Sequence, residues 1–175
     1  MRIIAGTWRG RSLVSPPGAT TRPTGDRMRE ALFSMLTSRL GSFEDLRVAD
    51  IFAGTGALGL EALSRGAAHC TFVERDRPAL EALKANIERL GASALSDVRA
   101  QSAEAFTGGP YDVILLDPPY GTSLGQRALA RLTLAPGAWA SIETEVGEDA
   151  AVPGFTVDAV RTQGKAKLTL MRYQG

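Results

Sequence analysis

The segment Asp50-Ile51-Phe52-Ala53-Gly54-Thr55-Gly56-Ala57-Leu58-Gly59 constrains this chain more than any other, because a strand pattern runs there directly into a glycine loop and then into a helical pattern. Glycines at such a junction let the backbone turn sharply and come close to a ligand. The turn also sets a rhythm. From Leu46 onward, apolar runs and helical stretches alternate: a buried strand at Val48 to Phe52, a helix over 57–65, a strand at His69 to Val73 and a helix from Pro78 to Leu90 closed by Gly91. Shorter strand patterns follow at Val98 to Gln101 and Val113 to Leu116. Strand and helix in turn require right-handed crossovers, and therefore a parallel sheet wound on both faces. The tail breaks the rhythm. After a strand at Trp139 to Ile142, Phe155 to Val160 and Leu168 to Met171 alternate about Gly164-Lys165 like an antiparallel pair. The expected fold is α/β, a Rossmann-like doubly wound sheet of seven strands with the last antiparallel.

Ahead of the sheet, the apolar stretches Arg2 to Ala5 and Arg11 to Val14 flank Gly6-Thr7-Trp8-Arg9-Gly10 and read as a small hairpin with a basic turn. Ser15-Pro16-Pro17-Gly18 is a loop, and residues 25–40 carry a helical period through Met28, Ala31, Leu32, Met35 and Leu36. The organisation expected is a basic extension over 1–40 and a ligand-binding domain over 41–175. With 175 residues, 44% hydrophobic and 22% charged, the chain has the size and mixture of one globular unit. It has no apolar run of the roughly 20 residues a bilayer needs and no leader pattern, so a soluble cytoplasmic protein is expected. A monomer is expected as well, since no extended apolar stripe is evident. One cysteine and one histidine, Cys70 and His69, exclude an internal disulfide and a Cys/His zinc site.

Charge is unevenly spread. Residues 1–40 hold seven arginines against Asp26 and Glu30, which leaves −4 on the rest of a chain whose total is +1. A basic arm on an acidic body suits contact with phosphates on one face, although arginine outnumbers lysine 17 to 3 throughout and the arm also reads as a solvated surface.

Twenty residues after Gly54, Glu74 ends the next strand, the spacing at which a carboxylate accepts hydrogen bonds from both ribose hydroxyls of an adenosine. Gly54, Gly56 and Gly59 also satisfy the G-x-G-x-x-G pattern of dinucleotide folds, so this motif alone leaves two cofactors open. Asp50, placed to hold an amino group, and the antiparallel tail both favour S-adenosylmethionine. The expected cofactor-binding residues are Asp50, Phe52, Gly54, Gly56, Glu74 with the adjoining Arg75, Ser102 and Ala103 at the adenine, and Asp117. No metal ligand is expected.

Asp117-Pro118-Pro119-Tyr120 follows an apolar strand at the edge where open α/β sheets bind ligands. Two prolines stiffen the chain and remove two N–H donors, leaving mainly acceptors, which is what an exocyclic amine needs. In this reading the Asp117 carboxylate and the Pro118 carbonyl each receive one amine hydrogen, and Tyr120 stacks on the base. Asp117, Pro118 and Tyr120 are the expected catalytic residues; a rigid proline turn is the plainer alternative.

Phe-x-Gly-x-Gly followed by Asp-Pro-Pro-aromatic resembles the amino-methyltransferases, which include DNA adenine-N6, RNA guanine-N2 and protein glutamine enzymes. Only 60 residues separate Gly56 from Asp117, too few for an inserted recognition domain. Arg2-Ile3-Ile4-Ala5-Gly6-Thr7-Trp8-Arg9-Gly10-Arg11, Arg22-Pro23-Thr24-Gly25-Asp26-Arg27-Met28-Arg29-Glu30-Ala31-Leu32-Phe33 and the stretch from Phe52 to Ala67 resemble the bacterial small-subunit ribosomal RNA guanine-N2 methyltransferase D family. The resemblance implies a class I methyltransferase fold and the product N2-methylguanine in 16S ribosomal RNA, made on a small-subunit assembly particle. It further implies that Arg22, Thr24, Asp26 and Arg27 approach the cofactor or substrate cleft, while Arg9 and Arg11 contact RNA phosphates. Thr24 or Asp26 also reads as a helix cap. The alternatives are DNA adenine-N6 or protein glutamine methylation and, in another class, a non-catalytic RNA-binding or nucleotide-binding module.

Overall fold

A computed structural model describes residues 1–18 and 23–175, with side chains in the first helix from Gly25 onward. Arg22 and the side chain of Thr24 lie outside the described residues. In chain order the elements are α1 (Pro23–Leu40), β1 (Arg47–Ile51), α2 (Ala57–Ser64), β2 (His69–Glu74), α3 (Arg77–Leu90), β3 (Ser96–Ala100), β4 (Tyr111–Leu116), α4 (Leu124–Leu129), β5 (Leu134–Glu145), β6 (Phe155–Gln163) and β7 (Ala166–Tyr173). The sheet order is β3-β2-β1-β4-β5-β7-β6. The first five strands in that order are parallel, and β7 runs antiparallel to both β5 and β6. This is the α/β class I fold that the sequence pattern implies. Strand order reverses between β1 and β4, so the crevice that binds ligands in such sheets opens above the carboxyl ends of these two strands.

The sheet separates two apolar layers. Phe33 and Leu36 of α1, Leu60 of α2 and Leu83 of α3 pack with Val48 and Phe72 on one face, whereas Ile51, Ile114, Ile142 and Met171 pack with Leu129 of α4 on the other. Ile3 and Leu13 join the first of these layers, so the N-terminal segment shares the sheet's core. Its two arms meet through one antiparallel bridge, Arg2 to Ser12, with N–H donations from Ile3 to Arg11 (3.0 Å) and from Gly10 to Ile3 (2.9 Å). The expected hairpin is therefore present, but its ladder is a single bridge. At the start of α1, Pro23 occupies the first helical position, where its missing N–H costs nothing. Asp26 thus falls inside the first turn, pairing with Arg29 at 3.7 Å, and is not the cap that the sequence offered. The six-residue α4 was not foreseen, since it is shorter than two turns and carries Gly125 inside it. That glycine is required: a Cβ there would lie 2.6 Å from Ile142 Cδ1 and 2.8 Å from Pro118 Cγ.

A buried charge joins the N-terminal segment to α2. Glu61 is 0% exposed. Its carboxylate accepts from the Ile4 N–H (2.8 Å), the Ala5 N–H (3.1 Å) and Arg65 Nε (2.9 Å), with Arg29 Nε at 4.0 Å. Ser64, one turn on, donates to the Ala5 carbonyl and accepts from the Trp8 N–H. Burial pushes the Arg29 guanidinium pKa down, and the charges of Glu61 and Asp26 oppose that shift. A buried carboxylate is tolerated only when its lone pairs and charge are met, as they are here. Glu61→Ala leaves Arg65 and two N–H groups without their acceptor and the buried Arg29 without a counter-charge at 4.0 Å, and urea unfolding is expected to show a loss of about 3–5 kcal/mol. A loss below 1 kcal/mol would show that the network carries little of the fold's stability.

Candidate active site

A cleft of about 860 Å³ opens at the carboxyl edge of β1, β2 and β4. Its floor is the loop between β1 and α2, where Phe52 (φ 66°), Gly54 (φ 57°) and Gly56 (φ 86°) all take left-handed backbone angles. For phenylalanine that conformation costs on the order of 1–3 kcal/mol, a strain typical of functional loops. A Cβ built on Gly54 meets nothing within 4 Å, so the cleft lies directly over its backbone. Gly56 plays another part. It does not line the cleft, and a Cβ there would fall 2.4 Å from Leu83 Cδ1, so this glycine permits α2 to dock on α3.

Glu74 closes the loop from the side. Its Oε1 accepts the Gly54 N–H (2.8 Å), and its Oε2 accepts the N–H groups of Arg75 and Asp76 (both 2.9 Å). A carboxylate offers about four lone-pair positions, so three are engaged and the group is fixed facing the cleft that it lines. Arg75, Ser102 and Ala103 line the same space, and Ser102 Oγ accepts from the Ala105 N–H at 3.2 Å.

The structure corrects the expectation for Asp50. Its side chain is 1% exposed, lies beneath the loop and does not line the cleft. Oδ2 accepts the Gly59 N–H at 2.9 Å, one of the donors left unpaired at the start of α2. The N-cap residue Gly56 has no side chain to serve those donors, so Asp50 supplies the acceptor from below. Burial pushes the Asp50 carboxyl pKa well up, the Gly59 hydrogen bond opposes this, and the nearby charges of Asp117 and Glu74 add to the rise.

Across the floor, Asp117 and Pro119 are exposed while Pro118 is buried against α4. Tyr120 is half-buried and donates its hydroxyl proton to Glu143 Oε2 at 2.9 Å. The next residue's N–H bonds the Glu148 carboxylate, and Thr122 Oγ1 donates to the Pro119 carbonyl at 2.7 Å. The Asp-Pro-Pro-Tyr segment is thus held from three sides. Glu143 and Glu148 were missed from sequence. The signal for Glu143 was present: an acidic residue one position beyond a strand that was ended at Ile142, where β5 continues to Glu145.

Asp26, Met28 and Arg29 of α1 form the opposite wall, while Arg27 is exposed and lies off it. Arg29, 5% exposed, was also missed from sequence. Arg9 and Arg11 sit elsewhere. Arg11 donates to the Arg89 carbonyl (2.8 Å) in the last turn of α3, and the turn bearing Arg9 is bonded through Thr7 and Trp8 to Ser64 at the end of α2. The fourteen residues of α3 rise about 21 Å and the eight of α2 about 12 Å away from the cleft, so both arginines lie toward the opposite edge of the sheet. Among the described residues, no group of three or more His, Cys, Asp or Glu could hold a metal ion, and no helix is long and apolar enough to cross a membrane.

A doubly wound sheet whose seventh strand is inserted antiparallel, with a glycine loop and acidic partner at its switch point and Asp-Pro-Pro-Tyr after β4, defines a class I methyltransferase. The antiparallel β7 between β5 and β6 also removes the dinucleotide-fold alternative. The chain belongs to the family described as conserved hypothetical protein 95, whose model matches residues 1–172. It is 40% identical to ribosomal RNA small subunit methyltransferase D of Haemophilus influenzae, over 94% of this chain and 89% of that one. Against the protein of the same name in Escherichia coli K12 it is again 40% identical, over 83% and 75%. The solved structure of yhhF from Escherichia coli superposes with a TM-score of 0.87 at 36% identity, covering 99% and 98%. For HI0767 from Haemophilus influenzae the TM-score is 0.83 at 33% identity, with the same coverage. Enzymes of this class use S-adenosylmethionine as methyl donor.

The Asp50 carboxyl yields a pH-dependent expectation. Its native pKa is raised, so its contribution to stability is complete below the ordinary carboxylate pKa and is lost as pH rises through the native value. Asp50→Asn stays neutral and keeps an acceptor for Gly59. The variant's melting temperature is therefore expected to exceed that of the parent at pH 8 and to converge with it near pH 4; a constant difference across that range would refute the assignment.

Proposed function

We propose that this chain transfers a methyl group from S-adenosylmethionine to the exocyclic N2 of a guanine in 16S ribosomal RNA, acting as a monomer on a small-subunit assembly particle in the cytoplasm. The observation that carries the reading is one cleft with Glu74 at one end and Asp117-Pro118-Pro119-Tyr120 at the other, in a chain 40% identical to proteins named for ribosomal RNA methylation.

The residues present fit the cofactor. Glu74 offers a fixed carboxylate to a ribose diol; accepting two hydroxyl protons requires one of its backbone donors to share, in a three-centre bond. Gly54 leaves open space over the loop, Phe52 and Ala103 give apolar walls for a flat ring, and Ser102 and Arg75 border it. When bound, S-adenosylmethionine supplies an electrophilic methyl group on a sulfonium. Asp50 serves the site indirectly, by fixing the start of α2 and with it the loop. Gly56 does the same through its docking on α3.

At the other end, the Asp117 carboxylate and the Pro118 carbonyl accept the two hydrogens of the guanine amine, which turns the nitrogen lone pair toward the methyl. Tyr120 stacks on the base and holds the plane. Catalysis is then mainly positioning and charge complementarity. Asp117, exposed to the cleft, is also the acceptor for the departing proton. Arg27 and Arg9 have no partner among the described residues and are offered to RNA phosphates, Arg9 from the far edge. Arg11 combines that exposure with its bond to α3. Arg22 and Thr24 precede the wall formed by Asp26 and Arg29, and the family resemblance assigns them to the substrate side.

The test is methyl transfer to small-subunit particles from a strain lacking the enzyme, with the modified nucleotide mapped. Incorporation into one guanine of 16S RNA is expected, and transfer to DNA adenine or to protein glutamine instead would replace the reading. Asp117→Ala is expected to lower kcat by about 100-fold or more while S-adenosylhomocysteine binding changes only a few-fold. Near-normal turnover in that variant would remove Asp117 from the reaction.

A further inference from the structure

Glu143 is the one acidic side chain of β5 in the cleft, and holding Tyr120 does not use all of it. In the parallel pairing of β4 with β5, Leu116 stands opposite Ile142. Asp117 and Glu143 each follow by one residue, so they stand side by side on chains about 4.8 Å apart, Asp117 just past the end of β4 and Glu143 still within β5. Across the antiparallel pairing with β7, Glu143 is opposite Leu168, which also lines the cleft. The carboxylate therefore projects from the same edge as Asp117, beside the place where the proposed target base lies. Oε2 takes the Tyr120 hydroxyl proton, while no arginine or lysine among the described residues pairs with Glu143. A half-buried carboxylate that lines the cleft and spends one oxygen on Tyr120 keeps capacity for a donor from whatever enters.

Guanine supplies one in the right place. Its N1–H adjoins the N2 amine on the same edge of the ring, whereas adenine carries a bare acceptor at N1. Resting on the guanine-N2 reading above, we propose that Glu143 determines base specificity by accepting the N1–H of the target guanine while Asp117 and Pro118 engage N2. The Tyr120 hydroxyl bond sets the carboxylate's rotamer, so that the stacking ring and the edge reader form one unit. A purine with an acceptor at N1 would face the carboxylate with two acceptors opposed, and a site built to hydrogen-bond a group rejects analogues that lack it strongly.

Glutamine at this position separates the roles. Its carbonyl oxygen can keep the Tyr120 bond, and its amide can donate to N1. The experiment uses particles reconstituted with 16S RNA in which the mapped target guanine is either retained or replaced by 2-aminopurine, which keeps the N2 amine but has an acceptor at N1. The parent enzyme is expected to prefer guanine by about 100-fold or more in kcat/KM, and Glu143→Gln to reduce the ratio to about tenfold or less, with S-adenosylhomocysteine affinity unchanged. Tyr120→Phe, which releases the carboxylate's rotamer but leaves the carboxylate in place, is expected to slow both substrates and to lower the ratio less than Glu143→Gln does. Equal losses on the two substrates in Glu143→Gln would leave Glu143 as a support for Tyr120 and overturn the proposal while guanine methylation stands. A parent enzyme that methylates neither particle would overturn the guanine reading itself, and this one with it.

Discussion

The buried carboxylate of Glu61 is the constraint on which the arrangement of this molecule turns. It sits in the middle of α2, whose first turn is shaped by the glycine loop and whose last turn receives the N-terminal segment. Six of the eight residues of α2 are buried, so the helix has no solvent face on which a charge could rest. Glu61 is tolerated only because the Ile4 and Ala5 N–H groups and Arg65 meet it, and those backbone donors are present only when the N-terminal segment is docked. The same charge stands 4.0 Å from Arg29 Nε, on the cleft wall. The docked N-terminus, α2 and the wall of the cleft thereby meet at one carboxylate, and the apolar packing of Ile3 and Leu13 accompanies that contact.

Strand and helix alternation made the sheet legible because a buried parallel strand leaves a continuous apolar run, and Val48 to Phe52 and Val113 to Leu116 are such runs. The glycine loop, Glu74 and Asp117 were legible because each depends on local backbone geometry at a strand end. Glu61, Arg29, Glu143 and Glu148 were not, since each draws its role from a partner distant in sequence: Glu61 from Ile4, Glu143 from Tyr120 and Glu148 from residue 121. Asp50 was assigned a ligand from its position, but the side of β1 on which it falls puts it under α2, and the donor it meets is the Gly59 N–H. The short α4 escaped because six residues contain too little of a 3.6-residue period to register.

Support of the chemistry therefore comes from behind. The Asp-Pro-Pro-Tyr segment touches the sheet through the Asp117 N–H to the Ile51 carbonyl and is clamped beyond it by Glu143, Glu148 and the close approach of Gly125 to Pro118. The opposite face of the cleft is organised by Glu74, which ties the glycine loop to the start of α3. Both supports use carboxylates to gather backbone or hydroxyl donors. Each fixes a loop without adding an apolar side chain to a space a ligand must enter.

That choice has an electrostatic consequence. The cleft is bordered by Asp26, Glu74, Asp76, Glu104, Asp117 and Glu143, against Arg29 and Arg75 among the described residues. A cavity lined with acceptors and negative charge favours a cationic sulfonium and an amine presenting its hydrogens, and it repels phosphates. A polyanionic substrate of the kind proposed must then be held by charge placed away from the reacting atoms, and the arginine-rich first 40 residues supply it. Arg9 and Arg11 carry part of that charge to the far edge of the sheet, Arg11 about 21 Å along α3 from the cleft and Arg9 beside the end of α2. A substrate that engages both ends must span that length, and one already folded to do so avoids the entropy cost of ordering a flexible strand, which is the sense in which the charge placement favours the structured RNA proposed above.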